Sequence, residues 1–357
     1  LLYSRRRGPR GGALPPSIHT AREQILMSSI LESFASQFGP DIVGKLGSAL
    51  GADAGAVNKS LGAIGPLLLN GMSGMASTPG GADSLLKALP QGGGLLGGLL
   101  GNLFGGGGAS ASEGGGSMLQ SLMGSGVNAV SASISRAVGF NVAPLLGMAV
   151  PALMGVVSKM VQEKGLTAAD IGPALAAQKQ AFFDNPANAE SAALVREALA
   201  AGNKAAAQIQ GFGADWSRVQ SAPAAALMMV ATADLSGPLG SIKEVQAASK
   251  AMADAARQAD PGSVIAAALG GGIDTDMLKQ VRELAPSKDR LIDVVKAGAA
   301  AVAAKDPAQA AAYKAAILSV AQSAAEAAKD GGFLGIGGKL VSDDEQAALD
   351  RLKAALA

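Results

Sequence analysis

The chain has 357 residues, 49% of them apolar and 3% aromatic, with a formal net charge of +1, one histidine and no cysteine. Those totals exclude disulfide staples, thiolate chemistry and zinc–thiolate sites, and a lone His19 leaves no His-rich metal site or histidine base to build on. The length allows two units with cores of their own. Ala and Gly dominate while period-two alternation is scarce, so the expected fold class is all-α, with helices approaching through small side chains.

Residues 1–26 carry Arg5, Arg6, Arg7, Arg10 and Arg22 against Glu23, and the first methionine is Met27. Arg5–Arg7 lack the apolar run of an export signal. The reading adopted is a leader that is non-native or disordered, with translation starting at Met27, since codons for Arg22-Glu23 can spell a ribosome-binding GGGAG. Without this segment the chain is mildly acidic, which argues against nucleic acid as a partner.

The first unit is placed at 27–180. Ile30, Leu31, Phe34 and Phe38 mark one helix face over Ser28–Phe38, and Gly39-Pro40 breaks it. Helices follow over Asp41–Leu50, after Asp53 as an N-cap, and over Ala82–Leu89. Residues 91–117 read as a Gly-rich linker around the apolar Leu95–Phe104, which is expected to dock on the core. Ala137–Met160 is the stretch around which the unit is organised. It has no charge from Ala137 to Ser158, and its apolar residues recur from Val142 to Met160 in steps of three and four. Pro66 and Pro151 are expected to kink or break their helices. The segments also pair at an offset of about 85 residues, a reading of repeat logic. Ala49-Leu50-Gly51 answers Ala137-Val138-Gly139, and Pro66-Leu67-Leu68-Leu69 answers Pro151-Ala152-Leu153-Met154.

The short helices, the PLLLNGM and APLLGMAVPALMG elements and the Gly/Leu linker resemble the YidB-like bacterial family, a domain of uncharacterised function, over Met27–Gln178. The resemblance implies an all-α fold and carries no activity.

The second unit is placed at 181–357. Helices are expected over Asn188–Gln210, Ala222–Thr232, Ser241–Gln258, Asp274–Leu284, Lys288–Ala304, Pro307–Lys329 and Ser342–Leu356. Two corners join a helix to a Gly-containing turn and then to Ser-x-x-Glu. One runs Asp234-Leu235-Ser236-Gly237 to Ser241 and Glu244, the other Asp330-Gly331-Gly332 through Lys339 to Ser342 and Glu345. Over Ala222–Ala357 this is similar to TerB-like tellurite-resistance domains, a resemblance that implies a helical bundle with metal-binding acids at two corners. Asp234, Glu244, Asp330 and Glu345 are the matching candidate metal ligands. The preferred reading of Glu244 and Glu345 is the capping box, in which Ser accepts from the third helical N–H and Glu returns to the Ser N–H.

Gly39-Pro-Asp-Ile-Val-Gly44-Lys45 spells GxxxxGK, but Leu46 stands where a phosphate loop needs Ser or Thr and no strand precedes it, so no nucleotide site is assigned. Ala137–Ser158 meets the length rule for a membrane span, yet its prolines and glycines favour burial in protein. The expectation is therefore a cytoplasmic, non-enzymatic interaction protein, with stress-related function open and partner and oligomeric state unassigned. One alternative is a divalent-metal-responsive stress protein using the acidic corners, a divalent cation being the one cofactor left open. The other is a membrane-associated helper.

Overall fold

The structure, a computed structural model, describes residues 29–90, 118–233, 238–273, 275–285, 287–327 and 341–357. The leader at 1–26, the linker at 91–117 with Leu95–Phe104, and both Asp234 and Asp330 lie outside the described residues. Among those residues the fold is all-α, with no strand.

The first core gathers α1 (Ser29–Ser36), α2 (Pro40–Leu50), α3 (Ala54–Ala76), α4 (Gly81–Ala88), α5 (Val127–Val138), α6 (Ala143–Lys164) and α7 (Ala168–Asp184). Large aliphatic and aromatic side chains fill it, among them Phe34, Leu46, Leu67, Leu68, Met72, Leu145 and Leu153. Helix α3 starts where Asp53 predicts, its carboxylate accepting from the Ala56 N–H at 2.8 Å. Helices α2 and α5 both end on a left-handed glycine, Gly51 (φ +65°) and Gly139 (φ +86°), and each then gives way to a long helix containing a proline. Ala137 and Val138 thus close α5, and the apolar ladder proper begins at Ala143. By length and composition α6 is apolar enough to cross a membrane, but 67% of its most apolar window is buried against protein.

The second core gathers α8 (Ala189–Phe212), α9 (Trp216–Ala231), α10 (Pro238–Gln258), α11 (Val264–Leu269), α12 (Thr275–Leu284), α13 (Lys288–Lys305), α14 (Pro307–Ala327) and α15 (Asp343–Leu356). Alanines at 222, 224, 225, 226, 266, 267, 268, 321, 324 and 325 fill much of it. The most extensive pairings are α9 with α13 and α10 with α14. Helix axes come close because side chains are small. A Cβ on Gly298 of α13 would lie 2.7 Å from the Ala222 Cβ and 2.7 Å from the Arg218 carbonyl oxygen of α9. All six residues of α11 are buried, although the sequence reading places no helix between Gln258 and Asp274.

Two helices serve both cores. Helix α5 gives Val130 and Ile134 to the first and Ala129 and Ala132 to the second. Helix α8 gives Ala192, Val195 and Ala198 to the first and Ala205 and Phe212 to the second. The boundary placed at 180–181 falls inside α7, and the passage from core to core occurs further along, within α8.

Prolines test the helices, because each removes the hydrogen bond to the carbonyl four residues earlier. Helices α3 and α6 run continuously through Pro66 and Pro151, so neither proline breaks its helix. The carbonyls they leave without that donor belong to exposed Gly62 and half-buried Gly147, and the one opposite Pro173 belongs to exposed Ala169. Water is within reach of such surface groups. Pro223 of α9 differs, since its counterpart Val219 is fully buried. There the Tyr313 hydroxyl donates to the Val219 carbonyl oxygen at 2.5 Å.

Candidate functional site: helix caps and the seam between the cores

The acids singled out in the sequence do not behave alike. Glu345 is 2% exposed, and one carboxylate oxygen accepts from the Ser342 N–H at 2.7 Å and the Ser342 hydroxyl at 2.9 Å. The Ser342 oxygen in turn accepts from the Glu345 N–H at 3.2 Å, completing the capping box at the start of α15. Thr167 and Asp170 build a similar arrangement at the start of α7, and the hydrogen bonds from Thr167 hold the Asp170 carboxyl below the usual carboxylate range.

Glu244 requires a correction. Helix α10 begins at Pro238, so Ser241 lies inside the helix and cannot be its N-cap. Proline at the first turn supplies a start of its own, with φ already set. Glu244 therefore sits in the second turn, buried at 7% exposure. Asp234 and Asp330 lie outside the described residues, and among the described residues no three of His, Cys, Asp and Glu converge into a metal-holding group.

The GxxxxGK stretch is helical. Gly39 is the N-cap of α2, and Gly44 and Lys45 lie within that helix, where their backbone N–H groups are not free to cradle a phosphate. A shallow, open depression lies here, lined by Pro40, Asp41, Gly44, Lys45, Ser48 and Ala49, all from α2. A surface drawn from one helix does not enclose a small molecule.

The most elaborate polar chemistry lies on the seam between the cores. At the start of α5, the backbones of Gly126 and Gly202 touch, so that a Cβ on Gly126 would collide with the Gly202 carbonyl. The Asn128 side-chain N–H donates to the Ala267 carbonyl of α11 at 3.0 Å. At the other end of α5, Arg136 donates to the carbonyls of Arg257 at 3.0 Å, Gln258 at 3.1 Å and Ala259. Arg257 returns the contact by donating to the Gly139 carbonyl, and Asp254 steadies it at 2.7 Å. Each arginine therefore caps the C-terminal end of the other's helix, where orphan carbonyls and the negative end of the helix dipole favour a cation. The corner after α10 is also held to α8, with Lys204 and Asp260 paired at 2.7 Å.

Sequence reading missed Asn128, Arg136, Arg257 and Tyr313. Arg136 carries a local signal, a basic residue in the last turn before a left-handed glycine. The others act across 94 to 139 residues of chain, and no local pattern marks such partners.

Residues 32–160 match the family described as bacterial protein of unknown function (DUF937). The match runs from α1 into α6 and includes α5 with its seam face. Comparison with curated proteins and with solved structures gave no match.

Proposed function

We propose that the protein is a non-enzymatic helical interaction protein working in the bacterial cytoplasm, its first unit YidB-like and its second TerB-like. The observation that carries this reading is where the polar side chains go. Glu345 closes a helix start, Asn128, Arg136 and Arg257 hold the seam, and Tyr313 serves a carbonyl released by proline. These groups are committed to joining helices rather than converging on a reacting atom. A scaffold presenting helical surfaces uses its polar groups in this way.

The test is cross-linking capture from the native host with the full chain, repeated with Gly155→Arg. A Cβ at Gly155 meets nothing within 4 Å, so a side chain can leave α6 there without an immediate clash, and the melting of the variant is compared with the parent. A partner captured by the parent and lost with Gly155→Arg at unchanged melting supports the reading. Substrate turnover abolished by a single carboxylate substitution overturns it.

A second reading has one observation behind it. Glu244 is a buried carboxylate at the first acidic corner, and carboxylate oxygens are the ligands that a hard divalent cation takes. A divalent cation at that corner would make the protein metal-responsive and link it to stress. Calorimetric titration with Ca²⁺, Mg²⁺ and Zn²⁺ decides it: heat of binding lost in Glu244→Gln favours this reading, and absence of heat for all three ions removes it.

A further inference from the structure

Leaving aside α8, which belongs to both cores and meets α5 at Gly126 and Gly202, the contacts that α5 makes with the remaining helices of the second core, here the second helical body, are of an unusual kind. To the second core it supplies two alanines, Ala129 and Ala132, while its large side chains Val130 and Ile134 point into the first. Cohesion from apolar burial scales with area, so two methyl groups contribute little. What remains is polar and local: the Asn128 bond to Ala267, and the reciprocal bonds of Arg136 and Arg257. The arginine bonds lie at the surface, open to competition from water. Two hydroxyls on α5, Ser131 and Ser133, are 3% and 1% exposed and have no hydrogen-bond partner in the protein. Buried hydroxyls without partners make α5 itself a costly helix to hold in place.

We propose that Arg136 and Arg257 form a latch, and that the second helical body parts from α5 along this seam as a local opening, without unfolding of either core. Sub-global openings of this sort follow units with few large buried contacts between them. Closed, the latch covers the Ala129–Ala132 face of α5 and the Ala267 end of α11. Open, it presents a small-residue helical face at the surface. The latch adds regulation to the interaction reading, but it stands on exchange kinetics rather than on capture of a partner.

Hydrogen exchange on the full chain tests it, comparing the parent with Arg136→Ala, Arg257→Ala, the double variant and Arg136→Lys. A control, Arg351→Ala, removes a surface ion pair to Asp289 that lies within the second body. The expected result is exchange faster by about tenfold or more in α5 and α11, with α3 and α14 unchanged. The double variant should add little to the faster single one, because both arginines restrain one opening. Arg136→Lys should fall between parent and Arg136→Ala, since an ammonium cannot span several carbonyls as a guanidinium does. Acceleration spread evenly over all helices would mean that the arginines stabilise the whole fold, and it overturns the proposal. So does unchanged exchange in α5 and α11.

Discussion

The two cores solve the same packing problem with opposite materials. In the first, leucines, isoleucines, methionines and phenylalanines fill the space between helices. In the second, alanines and a glycine bring helix backbones together until little space is left. The first core is thus vulnerable to losing volume or gaining charge, while the second is vulnerable to gaining a single methyl group. Helix packing distance follows side-chain size at the contact, and the same all-α class covers both solutions.

Breaking the first core should give the largest effect. Leu153 is 0% exposed, and Leu153→Asp places an unpaired charge among apolar side chains. A loss of more than about 4 kcal/mol is expected, read by denaturant unfolding with tryptophan and circular-dichroism signals. A variant that melts like the parent would show that Leu153 does not sit in a packed interior.

A glycine pair sharpens the comparison. Gly298→Ala drives a Cβ against Ala222 and the Arg218 carbonyl at 2.7 Å each, and overpacking of this kind costs about 1–3 kcal/mol. Gly147→Ala, in α6, meets nothing within 4 Å and should stabilise by up to about 1 kcal/mol through helix propensity. Thermal melts of the two variants should move in opposite directions. Equal shifts of one sign would erase the distinction drawn between the cores.

Next in size is Tyr313→Phe. It leaves the buried Val219 carbonyl without the donor that Pro223 cannot supply. The expected loss is about 1–3 kcal/mol, the penalty for a buried acceptor left unmade. The double variant Tyr313→Phe with Pro223→Ala should recover part of it, because alanine restores the backbone N–H. No recovery in chemical denaturation would separate the two residues energetically.

The smallest effects belong to the α15 cap. Ser342→Ala should cost about 1 kcal/mol, while Glu345→Gln should stay within about 0.5 kcal/mol, since glutamine also serves in a capping box. Divalent metal should leave both melting curves unmoved. A metal-induced rise in the parent that vanishes in Glu345→Gln would make this carboxylate a ligand.

How far each region was legible follows from the same contrast. Large apolar residues at helical spacing announce the first core, and Asp53 and Ser342 announce two helix starts. The second core is harder to read, because alanine suits a buried and an exposed helix face alike. Helix α11 shows this. Ser263 is a good N-cap, accepting from the Ala266 N–H at 3.1 Å, yet a helix of six residues between glycines is too short to show a period and goes unassigned. Ser241 misled in the other direction, since Ser-x-x-Glu fits a cap and Pro238 had already begun the helix. Contacts such as Gly126 on Gly202 depend on how distant helices cross, which residue spacing does not encode.

The hydroxyl that completes α9 also makes the second core optically addressable. The chain has two tyrosines, Tyr3 and Tyr313, so a protein begun at Met27 retains Tyr313 alone. Burial pushes the Tyr313 phenol well above its ordinary range, whereas in the unfolded chain it ionises at about pH 10. The unfolded state therefore releases this proton first. Below about pH 10 the contribution to stability is intact, and it declines as alkali rises beyond that point. Phenolate absorbance in such a protein would thus stay silent at a pH where free tyrosine is already ionised. Its appearance would time the opening of the second core, independently of any signal from the first.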